Sequence, residues 1–234
     1  MWARIHLVAV SILLAGPAQA AGVGMQWNDC LSAGARDLQA TCDANDGRSV
    51  LVGWFDPPAG ITALIGEEVV VDLCAMTADL PSWWQMGAGE CRAGAFYGTS
   101  NFVGTGLETC EDYWGGSTFD LVRYLSRYHD SNDARLVLTA GFTSGSGGAV
   151  TPGHNYYAFR FGIANAKTVG PDACSGCDTP VCIFFNSLRL NQPPGVGDIY
   201  LFTRQLYATW RGGRIECLVP ARRGTWGQLK SLYR

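Results

Sequence analysis

YYAFRFGIA, residues 156–164, decides the reading of the fold. Tyr157, Phe159, Phe161 and Ile163 recur at every second position, and Arg160 points away from them. Side chains alternate between the two faces of a strand, so this stretch reads as a half-buried strand. The same period returns in EVVVDLCA (68–75), where Val69, Val71 and Leu73 oppose Val70, Asp72 and Cys74. RLVLTAGF (135–142) puts Leu136, Leu138, Ala140 and Phe142 on one face. VLVGWF (50–55) is stopped by Asp56-Pro57-Pro58, because proline cannot donate to a ladder. VCIFFNSLRL (181–190) runs into the turn Gln192-Pro193-Pro194-Gly195, and 199–203 and 206–210 complete the series. Apolar stretches of period two, cut by glycine and proline, predict an all-β fold, an antiparallel β-sandwich or jelly roll. At most one short helix joins them, over 117–128. There Ser117 can cap, Asp120 follows three residues on, and Leu121, Val122, Leu125 and Tyr128 have helical spacing.

The N-terminus predicts export. Arg4 precedes the apolar run LVAVSILLA (7–15), and Ala18-Gln19-Ala20 supplies a small-x-small cleavage site. That is the plan of a secretory signal peptide, 1–20, and the run is shorter than the ~20 residues a membrane helix needs. The remainder, 21–234, reads as one sandwich domain in a secreted or periplasmic, bacterial protein without a transmembrane segment. The alternative is a division at the glycine-rich TSGSGGAVTPG (143–153). Thirty glycines and ten prolines fit many turns, and 47% hydrophobic with 16% charged residues is a globular composition.

All nine cysteines follow the predicted signal, and in an oxidising compartment such cysteines pair. A zinc ribbon needs a second CxxC or a histidine pair, and His129 and His154 are far apart. A redox CxxC opens a helix, whereas Asp178-Thr179-Pro180 after CSGC (174–177) reads as a turn before a strand. Disulfides are therefore expected at Cys30, Cys42, Cys91, Cys110, Cys174 and Cys177, paired locally as Cys30–Cys42, Cys91–Cys110 and Cys174–Cys177. Cys74, Cys182 and Cys217 remain, one of them a free thiol by parity.

Charge is uneven. Residues 21–200 hold 19 acids against 9 bases, and residues 201–234 hold 7 bases against Glu216 alone. The bases are dispersed and match no nucleic-acid motif, so the basic end reads as the partner of the acidic remainder.

Catalytic constellations are sparse. His154 has no G-x-S-x-G elbow or HExxH beside it, and Gly145-Ser146-Gly147 reads as a loop. Glu67, Glu68 and Asp72 could serve as paired glycosidase carboxylates, but a solvated strand edge is the plainer reading. Asp43–Gly47 departs from a calcium loop, its glycine one place early and no glutamate at the twelfth position; Asp130–Asp133 reads as a similar polar turn. No cofactor or metal is expected. Trp83-Trp84 and Tyr156-Tyr157 are the candidate ligand-binding residues, since exposed rings on a sandwich stack on sugars or anchor partners. Adjacent strand residues face opposite ways, so at most one of each pair is free, and core packing is the competing reading.

CSGCDTPVCIFFNSLRLNQPPGVGD (174–198), preceded by YYAFRFGIANAKTVG (156–170), and the ending TWGQLKSLYR (225–234) resemble a group of uncharacterised secreted bacterial proteins. The resemblance extends through LVGWFDPPAGI (51–61) and VVVDLCAM (69–76). It implies a secreted single-domain family and carries over no functional residue. The functional expectation is a non-enzymatic extracellular binding or surface module for glycan or protein. The alternatives are a secreted hydrolase using carboxylates and a structural subunit of an extracellular assembly.

Overall fold

The computed structural model describes residues 22–30, 34–103, 110–116, 118–142, 147–202 and 206–213. The predicted signal peptide, Ser117, Cys217 and the terminal decapeptide lie outside them. Among the described residues the strands are β1 (Gly22–Trp27), β2 (Asp37–Leu38), β3 (Arg48–Asp56), β4 (Gly66–Ala75), β5 (Phe96–Thr99), β6 (Thr118–Ser126), β7 (Asp133–Phe142), β8 (Tyr156–Ala164), β9 (Val181–Asn191), β10 (Ile199–Phe202) and β11 (Tyr207–Trp210). A 3-10 turn covers Ser82–Trp84.

The strands form two sheets packed face to face, an all-β sandwich. The smaller has the order β1-β3-β8-β5 and is antiparallel. The larger has the order β2-β11-β9-β4-β7-β6, with β10 also paired to β9. It is antiparallel except for the short β2–β11 pair. Val69, Val71 and Leu73 of β4, Leu136 and Leu138 of β7, and Phe185 and Leu188 of β9 meet Leu51, Phe55, Phe159 and Phe161 from the smaller sheet. Each such side chain contributes roughly 1.5–3 kcal/mol on burial.

The predicted helix over 117–128 is instead the edge strand β6, paired with β7 from Thr118↔Phe142 to Ser126↔Ala134. Edge position explains the misleading spacing. Val122 and Tyr124 face inward while Phe119, Leu121 and Leu125 stay exposed, so apolar residues fall on both faces.

A bulge corrects the reading of β8. Phe159 pairs with Gly53, but Tyr157 pairs with the next residue, Trp54, leaving Ala158 as the extra residue. The alternation therefore flips: Tyr156 joins the inter-sheet core, and Tyr157 turns to the outer face with Val52 and Phe102.

Disulfides join Cys30–Cys110, Cys42–Cys177 and Cys91–Cys174, at sequence separations of 80, 135 and 83. The local pairs expected from spacing do not form. Cys174 and Cys177 each reach a different distant loop, and Cys110 crosses the outer face of the smaller sheet to Cys30, over Tyr157. Cys74 and Cys182 stand opposite one another on β4 and β9.

Candidate functional site

Trp83 and Trp84 are fully buried, which corrects their assignment as exposed binding rings. The 3-10 turn drops both indoles into a cluster with Trp210, ring centroids 4.9–5.2 Å apart, and Trp27 packs 5.8 Å from Trp210. Arg92 closes the cluster. Its Cζ lies 3.5 Å from the Trp83 ring centre, and its guanidinium donates to the carbonyls of Trp83, Ala164 and Ala166. Burial pulls the Arg92 pKa down to about 10. Tyr156 and Tyr157 are buried as well: Tyr156 accepts from the Thr151 N–H at 3.0 Å, and Tyr157 donates to the Cys30 carbonyl. None of the four rings is available to a ligand from solvent.

The carboxylates of β4 do not assemble. Glu67 points between the sheets, while Glu68 and Asp72 sit on the opposite face, so strand geometry keeps them from flanking one bond. Glu67 is 0% exposed and neither carboxyl oxygen has a hydrogen-bond partner, which replaces the solvated strand edge read from sequence. Burial pushes its pKa well up, and Asp120 adds to the effect. Asp72 is held by two Arg135 contacts, 2.7 and 2.8 Å, and by the Asn186 amide. His154 pairs with Glu111 at 2.5 Å in an exposed contact. In the Asp43–Gly47 turn the side-chain amide oxygen of Asn45 accepts the N–H groups of Thr168 and Val169. Asp133 caps its own turn through the N–H groups of His129 and Asp130. Both carboxamide and carboxylate groups are thus spent on backbone, as polar turns require.

The exposed rings lie elsewhere, on the outer face of the larger sheet. Register aligns three rows across it. Tyr200, Arg189, Glu68, Thr139 and Leu121 form the first. Phe202, Ser187, Val70, Val137 and Arg123 form the second. Tyr207, Phe184, Asp72, Arg135 and Leu125 form the third. Tyr200 and Phe202, 52% and 72% exposed, stand on one margin with their rings 5.9 Å apart and 5° from parallel. They are two residues apart on β10, so both project to the same side. Arg189 lies beside them, hydrogen-bonded to Tyr200, which holds its guanidinium above the ordinary value. Its Nε is 3.7 Å from Asp198, whose carboxylate also accepts from the Asn191 amide at 3.0 Å. Charged donors and acceptors therefore border two open rings.

This pair was missed in the sequence because its strand was read only as a strand. IYLF (199–202) is apolar at all four positions beside a proline–glycine turn. In an edge strand with one face on the core, the other two rings must face outward.

A groove of about 460 Å³ opens beside the CSGC turn, lined in part by Cys42, Cys174, Cys177, Asp178 and Arg211. Among the described residues no cluster of His, Cys, Asp and Glu has the arrangement of a metal site, and no helix is long and apolar enough to cross a membrane. In comparisons with known proteins, no family model, no curated protein and no solved structure matches the chain.

Proposed function

We propose that the chain is an exported, non-enzymatic binding module that takes a glycan on the outer face of its larger sheet. The observation that carries this reading is the Tyr200–Phe202 pair, open to solvent and nearly parallel, bordered by Arg189 and Asp198. The C–H face of a sugar ring packs on an aromatic ring, and its hydroxyls both donate and accept hydrogen bonds. Arg189 offers donors and Asp198 an acceptor within the same patch. Three disulfides support passage through an oxidising compartment, bacterial export through the predicted signal being the simplest route. The test is a glycan screen on the protein lacking residues 1–20, followed by titration of Tyr200→Ala and Phe202→Ala. Each substitution is expected to weaken binding about tenfold or more, the loss of roughly 1.4 kcal/mol. Binding unchanged in both variants overturns the site.

A second reading, a subunit of an extracellular assembly, is favoured by β6, an edge strand with Phe119, Leu121 and Leu125 exposed. Under that reading the protein associates with itself at micromolar concentration, and Leu121→Lys restores the monomer in light scattering. A monomer at all concentrations removes self-assembly.

A further inference from the structure

We propose that the CSGC turn is a thiol–disulfide exchange site, at which one dithiol reductant releases both of the long-range crosslinks anchored there. Cys174 and Cys177 are three positions apart, yet each is bound elsewhere, to Cys91 and to Cys42. Gly176 between them has φ +98° and opens a tight turn over 176–179, its carbonyl accepting the Thr179 N–H at 3.2 Å. Cys42, Cys174 and Cys177 line one groove, which gathers both ends of CSGC at one place. Cys177 is thus a chain and groove neighbour of Cys174 while both sulfurs are engaged with others.

The backbone of the turn is held independently of its sulfurs. The Trp83 N–H donates to the Ser175 carbonyl at 2.8 Å, and the Trp210 indole donates to the Cys177 carbonyl at 2.7 Å. Both tryptophans belong to the fully buried cluster, so the turn keeps its place when sulfur partners change. Access comes from the groove, which is lined by Cys42, Cys174 and Cys177. Cys42 is the half-buried member of its pair, and Cys177 the buried one. Arg211 stands on the same groove, where its positive charge favours a released thiolate.

The exchange balances in three displacements. A thiolate of the reductant, a small dithiol or a thioredoxin-type protein, attacks Cys42 Sγ and expels Cys177 as thiolate. Cys177 attacks Cys174 Sγ, forms the Cys174–Cys177 bond and expels Cys91 as thiolate. The second thiol of the reductant attacks its own sulfur in the mixed disulfide, leaving as the oxidised disulfide and freeing Cys42, and the thiolates of Cys42 and Cys91 take up protons. Two electrons pass from reductant to protein. Two long links are exchanged for one short one, and the segments carrying Cys42 and Cys91 are untied together.

Removing Cys42 tests this without any reductant. In Cys42→Ser, alkylation under denaturing conditions followed by peptide mapping is expected to find Cys174 linked to Cys177 and Cys91 alkylated. Cys91–Cys174 intact with Cys177 alkylated overturns the proposal. The parent protein decides if the variant does not fold. Treated with one equivalent of dithiothreitol, it is expected to gain about two thiols per chain over the untreated sample, at Cys42 and Cys91 together. New thiols at Cys42 and Cys177, or first at Cys30 and Cys110, exclude the exchange.

Discussion

At the scale of single residues, Glu67 shows how an interior position sets a pH dependence. It occupies the row of β4 that holds Val69, Val71 and Leu73, and strand alternation alone placed it there. In the unfolded chain its carboxyl releases the proton near 4.5; in the sandwich, burial holds the proton to higher pH, with Asp120 as the nearby charge and Tyr113 as the facing phenol. Between those two values the native state binds more protons than the unfolded one. Its contribution is therefore most favourable below about pH 4.5 and declines as pH rises, by about 1.4 kcal/mol per unit. Glu67→Gln cannot ionise and removes that decline. Thermal melts across pH 4–8 are expected to show the variant gaining on the parent as pH rises, with the higher Tm at pH 8. Parallel curves would mean that Glu67 ionises alike in both states. From sequence the residue was one of two adjacent glutamates read as a solvated edge; β4 pairs with β7 and β9 back through Glu67, so the alternation of Val69, Val71 and Leu73 carries on to it and leaves Glu68 on the open face.

At the scale of elements, the strands with one clean apolar face were legible: β4 and β7 follow the sequence alternation. In contrast, β3 packs apolar residues on both faces, and β9 carries a bulge at Asn186 that shifts its inward row from Phe185 to Leu188. β8 was placed correctly, but its bulge at Ala158 was not, and that bulge decides which of Tyr156 and Tyr157 enters the core. β6 escaped because an edge strand with apolar residues on both faces imitates helical spacing. The short β1 and β5 escaped because glycine interrupts them, and in both pairs a glycine lies under a ring of the neighbouring strand. Gly162 of β8 stands opposite Tyr97 of β5, and the Tyr97 ring lies across it: a Cβ built there would sit 1.7 Å from the ring. Gly24 takes the Trp54 ring in the same way, 1.8 Å from such a Cβ. An aromatic ring laid over a glycine on the neighbouring strand covers bare backbone and pins the register. On Gly162 the ring is further flanked by Arg48 and Arg160, each 5.8 Å from its centre. Gly162→Val must displace Tyr97, and the expected cost is about 1–3 kcal/mol in denaturant unfolding. Tyr97→Ala in the same background is expected to recover part of that loss, whereas additive losses would show that the ring and the glycine are not coupled.

At the scale of the whole molecule, the sulfur links connect parts of the chain that no strand pairing joins. Local pairs seemed natural from spacing, yet closing a loop costs only slowly more as it lengthens, so spacing is a weak guide to partners. Position in the fold selects them: Cys42 and Cys91 lie on loops brought to the tryptophan cluster, where CSGC is anchored, and Cys30 and Cys110 meet over Tyr157. The chain-entropy model assigns about 4–5 kcal/mol to a loop of 80 to 135 residues, and measured values run at about 2–4 kcal/mol. The three loops overlap along the chain, the 91–174 loop lying wholly inside the 42–177 loop, so their contributions are less than additive. Even so they rival the ~5–15 kcal/mol by which a typical domain is stable. The double variant Cys30→Ala/Cys110→Ala leaves the two links at the tryptophan cluster and is expected to remain folded, its Tm lower by about 5–15 °C. Complete reduction and alkylation removes all three, and circular dichroism is then expected to show no cooperative transition above 37 °C. A fully alkylated chain that melts at the parent temperature would assign the stability to the packed sheets alone. It would reduce the disulfides to ornaments of a core that Leu51, Phe159, Phe185 and the four tryptophans already sustain.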